Sequence, residues 1–310
     1  MNFRDVQSAV RRSVAPEVVE KWSRPQGWLC LGTIAWNWFV IVLVLGISAK
    51  IPAPFAMPFA FFMIGWRQYA LFILGHDGIH GTLHRNRVWN DRLARWFVYA
   101  PLFMSLEDAR SNHLEHHRHV GSAEDPDRYL HTIQNKNSAF KFLMYCSGLM
   151  TFAKTLRKVT PLGGPRSQKG ALKGYLLSRW PILPLQALIF LLFAGWGYSF
   201  WDYAVLWVLP IYVCVFLPDE IRAYCDHAVL MPDHAADPKR LVSFKPGWFE
   251  AMVFSPLHMN YHAEHHLWPS VPHYNLPHVH RAVRERPEIS YRGSYLAFLA
   301  DSFRTLPIHE

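Results

Sequence analysis

Cysteine is scarce in this 310-residue chain, with Cys30, Cys146, Cys214 and Cys225 the full set. They form no C-x-x-C and share no paired spacing. That argues against a disulfide framework and against a cysteine-ligated zinc or iron–sulfur site. Charge is also sparse, at 18% of residues, while aromatics reach 15%; such a balance excludes a disordered chain. No Gly-rich dinucleotide fingerprint and no haem motif is legible, so electrons for any redox chemistry would have to come from another protein. Residues 1–27 mix Arg4, Asp5, Arg11, Arg12, Glu17 and Glu20 without an early apolar core, and do not read as a signal peptide. Acidic residues are the minority sign. There are 32 Lys and Arg against 23 Asp and Glu, a net +9, which suits nucleic acid or the anionic face of a membrane.

A mean hydropathy of +0.01 hides strong segregation. Residues 28–48 carry no charge, 52–74 carry only Arg67, 180–201 carry none, and 203–218 carry none. A membrane span needs about 20 apolar residues. The first three runs reach that length, and the fourth can continue into the polar stretch beyond Pro218. The expected fold is therefore an all-α integral membrane protein with four transmembrane helices in two hairpins. The spans fall at about 28–48, 52–74, 180–201 and 203–222, with short connections near 49–51 and 202. A cytoplasmic segment (1–27) and a cytoplasmic helical cap (75–179 and 223–310) complete a single domain over 1–310. Two weaker apolar stretches, 96–106 and 140–152, are too short to span and read as interfacial or re-entrant. Lysine and arginine number 5 in 1–27, 16 in 75–179 and 9 in 219–310, but only Lys50 occupies the two short connections. The positive-inside rule then puts both termini and the long loop in the cytoplasm. Charge spread over three segments, with no nucleic-acid module, argues against nucleic acid as a partner.

Histidine is abundant, with 18 residues, and it clusters. His76 and His80 are i, i+4. His113, His116 and His117 are i, i+3, i+4, and His262, His265 and His266 repeat that pattern. His227 follows the fourth span. On a helix such spacings share one face, so each cluster aims two or three imidazoles in one direction. Neutral imidazole is a good ligand for iron, zinc, copper or nickel, whereas crowded imidazolium would be repulsive. Nine candidate ligands are too many for one metal and sensible for two. They point to a histidine-rich dimetal site carried by the cap.

These residues resemble the three histidine boxes of the membrane fatty acid desaturase and hydroxylase superfamily, over most of the chain from about Arg67 to His280. H-D-x-x-H from His76 resembles the first box. H-x-x-H-H from His113, followed by Asp125-Pro126-Asp127, resembles the second. N-Y-H-x-E-H-H-L-W-P-S-V-P from Asn260 resembles the third. The resemblance implies a non-haem di-iron centre, two iron ions (Fe2+/Fe3+) with O2 as co-substrate, that removes hydrogen from unactivated C–H bonds. It implies His76, His80, His113, His116, His117, His227, His262, His265 and His266 as ligands. It also implies a separate electron donor: a ferredoxin, a rubredoxin or a cytochrome b5-like protein.

Around that set, Asp77, Asp125, Asp127 and Asp226 are candidates for hydrogen bonds that orient imidazoles, or else for caps and turns. His84 continues the i, i+4 series from His80 as a possible supporting residue. Arg67 is an intramembrane charge, suited to a lipid head group or to pairing with an acid. His119 follows the second box by two and leaves its face, while His131, His234, His258, His273, His278, His280 and His309 read as surface or loop residues. The expected function is an O2-dependent fatty acyl desaturase acting on a lipid or acyl chain. Hydroxylation or ketolation of an alkyl chain or carotenoid, and oxidative decarboxylation of a fatty acid, are alternatives on the same scaffold. A non-catalytic membrane metal protein is the distant one.

Overall fold

The computed structural model describes residues 3–120, 122, 124–127, 139–149, 179–228 and 241–305. In chain order the elements are α1 (Phe3–Arg11), α2 (Pro16–Ser23), α3 (Gly27–Ser48), α4 (Ala53–His80), α5 (Arg87–Ala94), α6 (Leu106–His119), α7 (Ala139–Cys146), α8 (Ile182–Gly195), α9 (Phe200–His227), β1 (Val242–Phe244), α10 (Trp248–Phe254), α11 (His262–Leu267), α12 (Leu276–Val283), β2 (Ser290–Arg292) and α13 (Tyr295–Thr305). The chain is mostly helical. Among the described residues its departure from the all-α expectation is one small parallel pair, in which Val242, Ser243 and Phe244 face Ser290, Tyr291 and Arg292. Residues group into two bodies. One comprises the described parts of Pro25–Arg110 and Arg157–Phe216, the other those of Met1–Arg24, Ser111–Leu156 and Leu217–Glu310.

The first body holds the apolar helices. α3 (22 residues), α4 (28) and α9 (28, continuing into the second body) are long and apolar enough to cross a membrane. Their outward surface is apolar: Trp28, Trp36, Phe39, Phe55, Phe59 and Phe62 are exposed, while the polar Asn37, Gln68 and Gln186 are buried. This reverses the pattern of a helix in water. Buried polar groups find partners inside. Gln68 Nε2 donates to the Trp207 carbonyl at 2.9 Å, within a stretch of α9, Ala204–Val208, wound as a wide π turn. Such turns loosen the i→i−4 ladder. Tyr203 Oη donates to Gln186 Oε1 at 2.8 Å, and Gln186 Nε2 donates to the Ala100 and Pro101 carbonyls at 2.9 Å each. A Cβ at Gly65 would lie 2.5 Å from Cys214 Sγ, so the glycine lets α4 and α9 approach closely.

The third apolar run departs from expectation. Its helix, α8, has 14 residues, about 21 Å at 1.5 Å each against about 30 Å of hydrocarbon. Absence of charge concealed a turn inside the run, Gly195-Trp196-Gly197, with Gly197 at φ 86°. α9 then starts at Phe200, where Ser199 and Asp202 form a reciprocal capping box. The reversal therefore occupies 196–199 rather than 202, and Asp202 serves the first turn of the helix. The stretch 96–106 is a π turn (Arg95–Tyr99) followed by a 3-10 turn (Ala100–Leu102). Of 140–152, α7 is described and the residues after 149 lie outside the described set.

The described residues of the second body form two cores. In one, Val6 and Val10 of α1, with Val14 in the turn after it, pack with Ala263, Leu267, Trp268, Val271, Leu276, Val279, Val283 and Ile289. In the other, Phe142 of α7 and Tyr224 of α9 join Val242, Phe244, Phe254 and Tyr295; Phe244 and Tyr295 stack with centroids 3.9 Å apart.

Candidate metal centre

α4 continues beyond its apolar run and carries His76 and His80 on its last turns, ring centroids 5.0 Å apart. Gly81, at φ 78°, ends the helix. His84 is therefore off the helix and does not extend the i, i+4 series. Its Nδ1 accepts the Asn86 N–H at 3.0 Å, and a Cβ at Gly27 would meet its ring at 2.7 Å, so it packs at the start of α3. Asp77, which follows His76 in sequence, is buried. The end of α4 is anchored by Arg110, which donates to the Gly78 carbonyl (2.8 Å), the Ile79 carbonyl (3.1 Å) and both Asp91 carboxylate oxygens (2.6 and 3.1 Å).

In the second body three helices each contribute imidazoles. α6 has Glu107 and Asp108 in its first turn and His116, His117 and His119 in its last, the polarity the helix dipole favours. α11 follows a turn in which Leu257 (φ 57°) and His258 (φ 64°) are both left-handed, a strained geometry for residues with a Cβ. His227 ends α9.

The imidazole nitrogens converge in two sets. In one, His117 Nε2 lies 2.9 Å from His113 Nε2 and 3.0 Å from His265 Nε2. In the other, His262 Nε2 lies 2.7 Å from His227 Nε2 and 2.9 Å from His266 Nε2; ligand atoms of His116, His227 and His266 are within 4.8 Å of one another. Nitrogens bonded to one metal at about 2.1 Å and at right angles are about 3.0 Å apart, so both sets fit an ion. His119 leaves this face, its Nε2 being 3.4 Å from Glu115.

Carboxylates lie behind two of the rings, one of them at hydrogen-bond distance. Asp125 Oδ1 lies 2.9 Å from His116 Nδ1, and Asp127 Oδ2 3.9 Å from it; Asn112 Nδ2 donates to Asp127 at 3.0 Å. Asp226 is fully buried, accepts from Arg222 Nη1 at 3.0 Å, and lies 3.6 Å from His262 Nδ1.

The back of α11 holds residues that sequence reasoning missed. Buried Glu264 accepts from His280 Nδ1 (2.7 Å), Tyr291 Oη (3.0 Å) and Ser243 Oγ, while Ala263 N–H donates to Ser243 Oγ at 3.0 Å. Burial, and the Glu264 carboxylate beside it, push the Tyr291 hydroxyl well up, so it remains a donor. His280 is thus part of this network rather than a surface residue. Glu264, between ligand candidates, was the visible signal; Ser243 and Tyr291 lie too far off in sequence to give one.

The model of the fatty acid desaturase family matches residues 52–296. The chain belongs to that family. Among curated relatives of this desaturase-family chain is an sn-1 acyl-lipid omega-3 desaturase (ferredoxin) of Nostoc sp. It is 20% identical over 79% of this chain and 72% of the relative. An sn-1 oleoyl-lipid 12-desaturase of Anabaena variabilis is 23% identical over 84% and 80%. A beta-carotene ketolase of Paracoccus sp. is 25% identical over 70% and 76%. The family and these relatives make the chain an oxidoreductase, and its apolar helices accord with a membrane protein.

Proposed function

We propose that this chain is an O2-dependent desaturase that introduces a C=C bond into the acyl chain of a lipid. The observation that carries this reading is the approach of imidazole nitrogens within about 3 Å in two sets, on a chain whose curated relatives include two acyl-lipid desaturases. The nine ligands are His76, His80, His113, His116, His117, His227, His262, His265 and His266, and the metals are two irons. When bound, the irons supply reduction of O2 to water together with removal of two hydrogens from adjacent methylenes. The protein's part is to orient the ligands, with Asp125 and Asp226 behind His116 and His262, and to hold the chain in an apolar, water-poor site. The whole chain works as one domain. Four membrane segments, the three long helices and the shorter α8 that completes the second hairpin, keep both termini and the histidines on the cytoplasmic side of a bacterial inner membrane, as the lysine and arginine distribution favours. The two further electrons come from a ferredoxin, rubredoxin or cytochrome b5-like carrier; one relative's own name specifies ferredoxin.

The test is expression with such a donor in a heterologous host, followed by lipid analysis. Acyl chains lighter by two hydrogens are expected, and none in a well-expressed His116→Ala variant; undiminished product in that variant would sink the assignment. A second reading, ketolation of a carotenoid, is favoured by the ketolase relative at 25% identity and is read in the same experiment as a gain of oxygen. Loss of the carboxyl carbon would mark decarboxylation.

A further inference from the structure

The N-terminal helix α1 presents Arg4, Gln7 and Arg11 at i, i+3 and i+7, one face beside its buried valine stripe. All three side chains reach helix ends that carry histidine boxes. Arg11 Nε donates to the Leu267 carbonyl at 2.6 Å and its Nη2 to the His266 carbonyl at 3.3 Å. Gln7 Nε2 reaches the same His266 carbonyl at 3.4 Å. Arg4 Nη2 donates to the Arg118 carbonyl, at the end of α6, at 3.0 Å.

The last carbonyls of a helix have no partner within it, and α11 is only six residues long, so such carbonyls are a large share of its backbone. The Glu264 carbonyl is taken by Trp268 N–H at 3.0 Å; those of His266 and Leu267 go to α1. A guanidinium is suited to this place. Its planar fork can donate to two carbonyls at once, and its charge complements the negative end of the helix dipole. The His266 peptide that receives this cap is the one whose side chain belongs to the second imidazole set.

We propose that Arg11 is a positioning residue for the third histidine box, and that α1 is a strap clamping the ends of α6 and α11. Through the His266 and Leu267 carbonyls, Arg11 fixes the last turn of α11 and with it the direction of the His265 and His266 rings. The effect on metal rests on the assignment of those histidines as ligands; the effect on the helix end does not.

The test uses the full-length protein in detergent, as wild type, Arg11→Met, Arg11→Lys and Phe142→Leu, the last as a control that loosens the other core of the second body without touching α1 or α11. Two quantities are measured: the rate at which a ferrous chelator strips iron, and hydrogen exchange of the amides of residues 263–268 in metal-free protein. Arg11→Met is expected to speed iron loss and amide exchange by about tenfold or more, the scale typical of groups behind metal ligands. Arg11→Lys should fall between it and wild type. Phe142→Leu should lower the melting temperature while changing neither rate more than about twofold. Wild-type rates in Arg11→Met, or equal acceleration in Phe142→Leu, would overturn the proposal. A wild-type chain that holds no iron would overturn the metal assignment instead, and the exchange comparison would still decide the role of Arg11.

Discussion

His116 Nδ1 and Asp125 Oδ1 are 2.9 Å apart, both side chains fully enclosed. Asp125 Oδ1 also accepts the Asp127 N–H at 2.9 Å, which fixes the carboxylate before it meets the ring. A carboxylate on Nδ1 selects the tautomer protonated there and leaves Nε2 as the electron-pair donor. Asp125→Asn keeps the shape and removes the charge. It is expected to lower iron affinity by roughly 10- to 100-fold with expression unchanged, measured as iron retained after dialysis against graded chelator. Retention equal to wild type would remove Asp125 from the site.

Much of this architecture was legible because helical spacing is local. His113, His116 and His117, or His262, His265 and His266, declare one face from their numbers alone, and α3 and α4 declare themselves by length and apolarity. What was not legible depends on residues far apart or on backbone geometry. Glu264 is read as one more polar residue until His280, Ser243 and Tyr291 close on it from three other elements. The turn that shortens α8 rests on Gly197 at φ 86°, and hydropathy has no term for that. His84 kept the helical count but not the helix, because Gly81 had already ended it.

Gly75 precedes the first candidate ligand, and a Cβ there would lie 2.7 Å from Tyr99 Cζ and 2.9 Å from its hydroxyl oxygen. Tyr99 is fully buried, so it has little room to yield. Gly75→Ala is expected to cost about 1–3 kcal/mol through overpacking. The double variant with Tyr99→Leu should recover part of that loss, since the two sites touch. Thermal unfolding in detergent measures both; a single variant as stable as wild type would contradict the close approach.

Arg110 ties the end of α4 to Asp91. Burial alone would push the Asp91 carboxyl up, but hydrogen bonds from Arg110 and Asn90, with the charges of Arg110 and Arg87, outweigh it and hold the group below its usual range. A carboxyl depressed in the folded state contributes stability that is fully present above its unfolded value, near 3.8, and is lost as pH falls through the folded value. Arg110→Met should therefore destabilise the protein by about 1–3 kcal/mol near neutrality, the cost of unpaired carbonyls included. The gap to wild type should narrow as pH drops below about 4. A gap independent of pH would place the effect in the carbonyl contacts alone.

Glu264 offers a sharper contrast between charge and shape. It is fully buried, and it receives three side-chain donors. Glu264→Leu would leave the Ser243, Tyr291 and His280 donors enclosed without their acceptor, each at about 1–3 kcal/mol, so loss of the folded second body at growth temperature is expected. Glu264→Gln retains one acceptor oxygen and the volume. It should fold with a lowered melting temperature, and His280→Gln in the same background should cost less than it does in wild type, because the two share one hydrogen bond. Additive losses in that double-variant cycle would show that His280 and Glu264 act independently, contrary to their 2.7 Å contact.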